Sequence, residues 1–315
     1  MLKTGIYRTE QLNDPKQLIY RSQEDKKISI TLYHSVIDDP SKTEIAEQIL
    51  LNFTDERGAY KRTYSNRFED FDQQTLKEIQ RYFTQDHPLM LHDAGVSDGR
   101  TSCDFFHKIQ PLFPKVNYHA SDYDPQIFTI ESGRTKVVFN KHNKVLEIVF
   151  PPFVFNGNRD AYRYPINHII RYLLDKTLIK RLLSKYQQGL IKAQMDLLFC
   201  HQAIALSQND KRFHLEQHDL LKALPVKNSI DIFRAMNILN PSYFSRQEFE
   251  TILTHIYDGL TKQGLFITGS NEESNTTVNG GIFQKTLTGF EKVGHSGTGS
   301  AIESIISNYR SPRQD

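Results

Sequence analysis

The sequence is short of the residues that would place it by composition alone. Only two cysteines, Cys103 and Cys200, occur in 315 residues, and they lie far apart. That excludes a Cys-x-x-Cys zinc knuckle or a disulfide framework and predicts a reducing compartment. No apolar run approaches the roughly 18 residues of a membrane span. The opening stretch MLKTGIYRTEQLND has no apolar centre of the kind a secretory signal needs. There is almost no excess of either charge: 39 Lys and Arg stand against 37 Asp and Glu, a net of +2. A chain-wide nucleic-acid surface is therefore excluded, although a local basic patch is not. Nor does the composition, 38% hydrophobic and 24% charged, show the distortion a long disordered segment would cause. The absences predict a soluble, cytoplasmic globular protein, long enough to bury its core without staples.

Periodicity supplies the organisation. Residues 1–70 are irregular and polar, with one strand-like alternation at Ile28–Tyr33. The aromatic-rich stretch 54–72 reads as an ordered cap or lid. From residue 72 helices and strands alternate. A helix is predicted at Gln74–Phe83 and strands at Pro88–Asp93, Val116–Asp122, Arg212–Gln217, Ser229–Phe233 and Gly264–Thr268. A capping box, Ser245-x-x-Glu248, opens a helix running to about Lys262. Two last strands, Gly281–Leu287 and Gly289–His295, read as a hairpin. This is the pattern of an α/β fold, a mostly parallel Rossmann-like sheet with an antiparallel C-terminal hairpin. About 85 residues separate the second and third core strands, far more than an ordinary crossover needs. They hold a hairpin, Lys136–Phe139 with Val145–Phe150, and helices at about Ala161–Gln188 and Ala193–Ser207. The expected domains are a cap over 1–71, a core over 72–124 and 209–315, and an inserted α+β subdomain over 125–208.

The chemistry concentrates in Leu91–Ser102, LHDAGVSDGRTS. A strand that turns through glycine into a helix offers backbone N–H groups beside carboxylates. Gly95 and Gly99 do not make the dinucleotide G-x-G-x-x-G, and the spacing with Arg100 is not that of a P-loop. Gly95-Val-Ser97-Asp-Gly99 does match the G-x-S-x-G nucleophile elbow of α/β-hydrolases, with Ser97 as nucleophile. Against that reading, an elbow follows several earlier sheet strands, and residues 1–88 show at most one. A pocket for S-adenosylmethionine (SAM) fits better. Its ammonium, ribose diol and adenine call for carboxylates at successive strand ends, in the crevice where open α/β sheets bind ligands. Asp93, Asp122 and Asp219 stand at three such ends.

These segments resemble the motifs of class I SAM-dependent methyltransferases. His92–Gly99 is similar to the first, Ala120–Asp124 to the acidic ribose motif, Glu216–Leu220 to the adenine motif and Ile230–Leu239 to the fourth. The resemblance implies SAM as cofactor, held by Asp93, Gly95, Ser97, Gly99, Asp122, Tyr123, Asp219 and Leu220. Arg234 and Asn237, followed by Tyr243–Phe244, also resemble in part the Arg-Asn-x-x-x-Tyr-Phe signature of chemotaxis receptor (CheR-type) methyltransferases. Two residues separate Arg234 from Asn237, where that signature has them adjacent. The likeness therefore carries fold and cofactor, not the receptor-glutamate substrate. Acceptor-side candidates are Arg234, Asn237 and Tyr243, then Tyr60, Tyr64 and Arg67 from the cap. The expected reaction is methyl transfer to oxygen or nitrogen of a small molecule or protein. The alternatives are a SAM-binding regulator without turnover and, third, a hydrolase.

Other signals are weaker. His214 and His218 are four apart but on a strand, so the helical H-E-x-x-H geometry is absent and no metal site is expected. Cys200 and His201 are adjacent on a predicted helix and point apart. Residues 161–190 carry six basic side chains against Asp175, with Ile166, Ile169, Ile170, Leu173, Leu174 and Leu178 forming an apolar stripe. That helix either presents a solvated basic face, in a monomer or homodimer, or docks on an acidic partner or anionic membrane surface.

Overall fold

A computed structural model describes residues 6–8, 30–37, 39–51, 63–156, 164–271 and 277–311. Residues 54–62 of the cap stretch, Tyr60 among them, residues 161–163 of the basic helix and the first two residues of the Ile28–Tyr33 alternation lie outside them. The described residues form two compact units, one from 63–123 with 202–311 and one from the described parts of 1–55 with 124–201.

The first unit is built on a seven-stranded sheet. Its strands are β2 (Met90–Ala94), β3 (Asn117–Asp122), β9 (Phe213–Gln217), β10 (Ile230–Met236), β11 (Leu260–Ser270), β12 (Asn279–Lys285) and β13 (Phe290–Ser296). They lie in the order β13-β12-β11-β10-β2-β3-β9. Counted along the chain, the five parallel strands run 3-2-1-4-5, the doubly wound order. The terminal pair adds antiparallel to β11, as the hairpin reading expected. The expected α/β architecture is the one observed.

Alternation along the strands sorts their side chains onto two faces. On one face Ala94, Phe233, Ala235, Phe266 and Phe283 pack with α8 (Arg246–Gly259) and α9 (Glu303–Asn308). Ser245 and Glu248 close the anticipated capping box at the start of α8. That helix ends at Gly259 and the next strand begins at once, earlier than the reading to Lys262. The opposite face carries Asp93 and Arg234, which are side-by-side partners in the β2–β10 register. Here α3 (Glu69–Tyr82) and α4 (Arg100–Ile109) supply Phe71, Phe105 and Phe106, all buried. Glu69, Asp70 and Asp72 in the first turn of α3 complement its dipole.

The second unit departs further from expectation. Its sheet has six strands, β1 (Ile6–Arg8), β4 (Gln126–Ser132), β5 (Thr135–Asn140), β6 (Val145–Phe150), β7 (Phe153–Asn156) and β8 (Gln194–Leu197), in the order β1-β7-β6-β5-β4-β8. The anticipated hairpin is thus the centre of a larger antiparallel sheet. Helix α5 (Pro165–Leu174) continues through a wider π-type turn, Asp175–Ile179, into α6 (Lys180–Gln187). Ile179 and Leu182 seal one sheet face over Ile130, Val137, Phe139, Ile148 and Phe155. Two local predictions fail here. Ile30–Leu32 is a 3-10 turn leading into α1 (Tyr33–Ile37), not a strand. The Ala193–Ser207 helix splits into β8 and α7 (His201–Asn209).

The described residues of 6–51 belong to this same unit, whereas 63–71 of the expected cap belong to the first. Helix α2 (Thr43–Leu51) follows α1 and buries Ile45, Ala46, Ile49 and Leu50. Glu147 Oε2 accepts from Ile30 N at 3.3 Å and Oε1 from Thr31 N at 3.4 Å. The Tyr33 hydroxyl donates to the carbonyls of Leu197 and Phe199 at 2.7 and 3.3 Å.

Candidate functional site

In a doubly wound sheet, ligands bind outside the carboxyl ends of the strands where the order reverses. In this chain the reversal lies between β2 and β10, the first and fourth core strands. The loop leaving β2 is shaped by three left-handed residues: Gly95 at φ 70°, Ser97 at 61° and Gly99 at 81°. A β-carbon at Gly95 would lie 2.8 Å from Ile238 Cβ, so glycine is required there by both space and backbone. Ser121, near the end of β3, pins the loop: its carbonyl accepts from the N–H groups of Gly95 and Val96 at 2.8 and 3.1 Å. One residue on, Asp122 Oδ2 accepts from Ser97 N at 2.8 Å. The Asp122 carboxylate is thereby oriented at the strand end against the glycine loop, while Gly99 starts α4.

Asp93 does not join it. The strand runs one residue further than its apolar pattern suggested, to Ala94, so Asp93 lies within β2 and faces the helices. Its Oδ2 accepts from Ser102 Oγ at 2.7 Å, Tyr118 Oη at 2.6 Å and Arg234 Nη1 at 2.8 Å. Arg234 Nη2 reaches Asp72 Oδ1 at 3.1 Å. Its guanidinium also lies 4.8 Å from the Phe105 ring centre. Burial works against the Arg234 charge, but the carboxylates of Asp93 and Asp72 outweigh it and hold its pKa above the ordinary value. Burial likewise pushes Asp72 up, partly offset by Arg234 and Lys108. Asp93 and Arg234 are thus partners in a buried ionic network, and neither is the ligand-facing group the sequence reading expected.

Asp219 is placed less decisively. Its Oδ1 accepts from Leu221 N at 3.0 Å, the turn-forming role that aspartate often takes, and Leu220 is buried in the core. The chain here is nonetheless tied to the site, because His218 N donates to Asp122 O at 3.0 Å. Tyr123 is half-buried and its carbonyl accepts from Gln217 Nε2 at 3.0 Å. On the α8 face, His92 stacks on Phe233 with ring centres 5.2 Å apart and meets His218 edge-on. Burial, then the neighbouring His218, pushes its pKa down to about 3, so the imidazole is neutral. Its Nε2 lies 2.9 Å from Ser121 Oγ; His92 is thus engaged with Ser121 and is not a base beside Ser97.

A second polar cluster occupies the ends of β10 and β11. Asn237, left-handed at φ 58°, exchanges two hydrogen bonds with Asn271: Asn271 N to Oδ1 at 3.0 Å and Asn237 Nδ2 to Asn271 Oδ1 at 3.3 Å. Arg67 Nε donates to that Asn271 Oδ1 at 2.8 Å and Nη2 to its carbonyl at 3.3 Å. The guanidinium lies 5.3 Å from the Tyr64 ring centre. Two acceptor-side candidates, Arg67 and Asn237, are therefore brought together through a residue the sequence reading missed. Asn271 directly follows the observed end of β11, and following that strand past Thr268 would have put it opposite Asn237. Tyr243 packs half-buried against the core. Tyr60 lies outside the described residues. Among the described residues no group of His, Cys, Asp or Glu side chains could hold a metal ion.

No family model matches the chain, and no curated protein does. Similar folds occur among solved structures. Geranyl diphosphate C-methyltransferase from Streptomyces coelicolor A3(2) matches over 75% of this chain and 53% of its own, at 8% identity and a TM-score of 0.29. The CMeT domain of the citrinin polyketide synthase matches over 82% and 42%, at 12% identity and 0.31. The cyclase SpnF matches over 65% and 47%, at 10% identity and 0.26. The chain spans about half or less of the length of such structures. At these scores the likenesses carry no argument about activity, and the fold assignment stands on the strand order itself.

Proposed function

We propose that the crevice at the carboxyl ends of β2, β3 and β10 binds SAM and that the chain is a SAM-dependent methyltransferase. The observation that carries this reading is the pairing of Asp122 with the left-handed loop at the point where the strand order reverses. The residues fit the group in part. Asp122 suits the ribose diol, since a carboxylate at this strand end is an acceptor-only group and a diol offers two hydroxyl donors. The start of α4 behind Gly99 suits the carboxylate end. Asp93 does not fit as partner of the ammonium, being committed to Arg234.

When bound, SAM supplies a methyl group on a sulfonium, an electrophile that needs no nucleophilic side chain from the protein. The chain's own contribution is position: holding donor and acceptor in a near-attack geometry is worth ~7–11 kcal/mol. Arg67, Asn271 and Asn237 form the polar wall on the acceptor side. Whether the acceptor atom is oxygen or nitrogen is read by trapping the methylated product from a fractionated lysate; base-labile label marks a methyl ester.

Calorimetric titration with SAM and S-adenosylhomocysteine tests the reading. Binding in the micromolar range, weakened at least tenfold in Asp122→Ala, supports it. Absence of binding at millimolar ligand, or equal binding by Asp122→Ala, refutes it. Binding without label transfer into any lysate fraction would favour the regulator.

A further inference from the structure

The helix that covers the antiparallel sheet carries its strongest apolar stripe on the wrong side for packing. Positions Asn167, Arg171, Leu174, Leu178 and Leu182 turn inward, and Arg171 is buried with its Nε 3.0 Å from Asp175 Oδ1. Ile166, Ile169, Ile170 and Leu173 stand at the i, i+3, i+4, i+7 spacing of one helix face. They are nevertheless 40–56% exposed, and Tyr164 and Tyr172 beside them are 56% and 54% exposed. Contiguous exposed apolar surface of this kind marks an interaction site.

What lies next to the stripe selects the partner. Tyr172, Lys176, Lys180 and Arg171 of the helix, with Lys144 from the β5–β6 turn, line an open groove of about 930 Å³. The single acidic side chain in the groove, Asp175, is already paired with Arg171. Lys144, Lys176 and Lys180 are exposed and make no ion pair among the described residues; Lys176 Nζ instead lies 5.6 Å from the Tyr172 ring centre. Apolar side chains, flanking tyrosines and unpaired lysines on one helix match an interface between headgroups and acyl chains. A second copy of this chain fits worse, because a two-fold contact through this face would bring lysine against lysine. An acidic peptide would neutralise the lysines but leave the isoleucines in water.

We propose that this face docks the protein on an anionic phospholipid bilayer, with Ile166, Ile169, Ile170 and Leu173 entering the acyl boundary and Lys144, Lys176 and Lys180 meeting the headgroups. The inference is independent of methyl transfer, since it rests on the antiparallel-sheet unit alone. Sedimentation of the full chain with vesicles tests it, using phosphatidylcholine alone and phosphatidylcholine mixed with phosphatidylserine. The protein is expected to pellet with the mixed vesicles and remain in solution with phosphatidylcholine. Each lysine near such a surface is worth roughly fivefold in partitioning, so Lys176→Gln/Lys180→Gln should lower binding by about 25-fold. Ile169→Ser/Leu173→Ser alters only exposed positions and should abolish binding without changing the melting temperature. Failure to pellet with the mixed vesicles overturns the proposal, as does binding that both double variants retain. A dimer in light scattering that becomes monomeric in Ile169→Ser/Leu173→Ser would assign the face to a second copy instead.

Discussion

Replacing Asp93 by asparagine separates two roles that a carboxylate at a strand end can have. In the structure Asp93 Oδ2 takes three donors, Ser102, Tyr118 and Arg234, inside a site sealed by Phe105 and Phe106. The amide would keep the shape but remove the charge that balances Arg234. The remaining partner, Asp72, is a poor substitute, because burial already favours its neutral form. Two unit charges about 4 Å apart at an effective dielectric of about 20 interact by ~4 kcal/mol. The same figure falls within the ~3–5 kcal/mol observed when one member of a buried pair is removed. At roughly 2–4 °C per kcal/mol for a unit of this size, the ligand-free Asp93→Asn protein should melt about 8–16 °C below the parent. SAM affinity of the folded variant should change less than about threefold. A double-mutant cycle sharpens the test: in an Arg234→Leu background the cost of Asp93→Asn should shrink to ~1 kcal/mol or less. Circular dichroism melts of the four proteins, with calorimetric titration of those that fold, read both quantities. A variant that melts with the parent but binds SAM more than about tenfold more weakly would return Asp93 to the cofactor.

Two further outcomes follow from the same sheet. His92, whose pKa falls from the usual 6.5 to about 3 in the fold, binds fewer protons folded than unfolded between those values, so its contribution is intact above pH 6.5 and is lost as pH falls. The loss should reach ~2 kcal/mol by about pH 5, measured as a urea-unfolding difference that His92→Phe, which stays uncharged, reduces; an equal pH slope in that variant would show that His92 is not its source. Gly95→Ala sets a methyl group 2.8 Å from Ile238 Cβ at a φ of 70° and should cost about 2–3 kcal/mol; in an Ile238→Gly background, which removes that Cβ, the further cost of Gly95→Ala should fall to the ~1 kcal/mol of backbone strain, and a neutral Gly95→Ala would mean the loop is not held in this conformation.

The core sheet is legible in the sequence because each strand is a short apolar run bounded by turn residues, and the helices between them fix parallel connection. Misreadings arise where local pattern and long-range contact disagree. Ending β2 at Asp93 instead of Ala94 is an error of one residue, yet successive strand residues point to opposite faces. That single step moves Asp93 from the helix-packed interior to the ligand crevice. Asp122, at the last position of β3, has no such ambiguity, because the apolar pattern and the strand stop at the same residue. Ile28–Tyr33 alternates like a strand, but its tail Ile30–Leu32 is a 3-10 turn whose backbone N–H groups at Ile30 and Thr31 are taken by Glu147, 117 and 116 residues away. No window of local sequence contains that partner. Arg67 and Asn271 are 204 residues apart and meet the same obstacle.

The region just before and within the first turn of α3 links these observations. Arg67 holds the carbonyl and side chain of Asn271 at the strand ends, and five residues later Asp72 reaches Arg234 in the interior. Phe68 lies between them, its ring 5.6 Å from the Arg67 guanidinium and 5.4 Å from that of Arg234. One short stretch is therefore fixed at both depths, by a hydrogen-bonded cluster at the strand ends and an ionic one beneath it. A buried ion pair adds little net stability over apolar packing, but removing either partner strands the other charge away from water. In this fold its consequence is registry: Arg67 cannot shift along the strand ends without drawing Asp72 off the buried Arg234 charge. The polar cluster of Arg67, Asn237 and Asn271 is thus set by the core. Arg67, which the sequence pattern assigns to a lid, stands at the strand ends, and Arg234, which it assigns to the site edge, is the buried charge that holds the stretch in place.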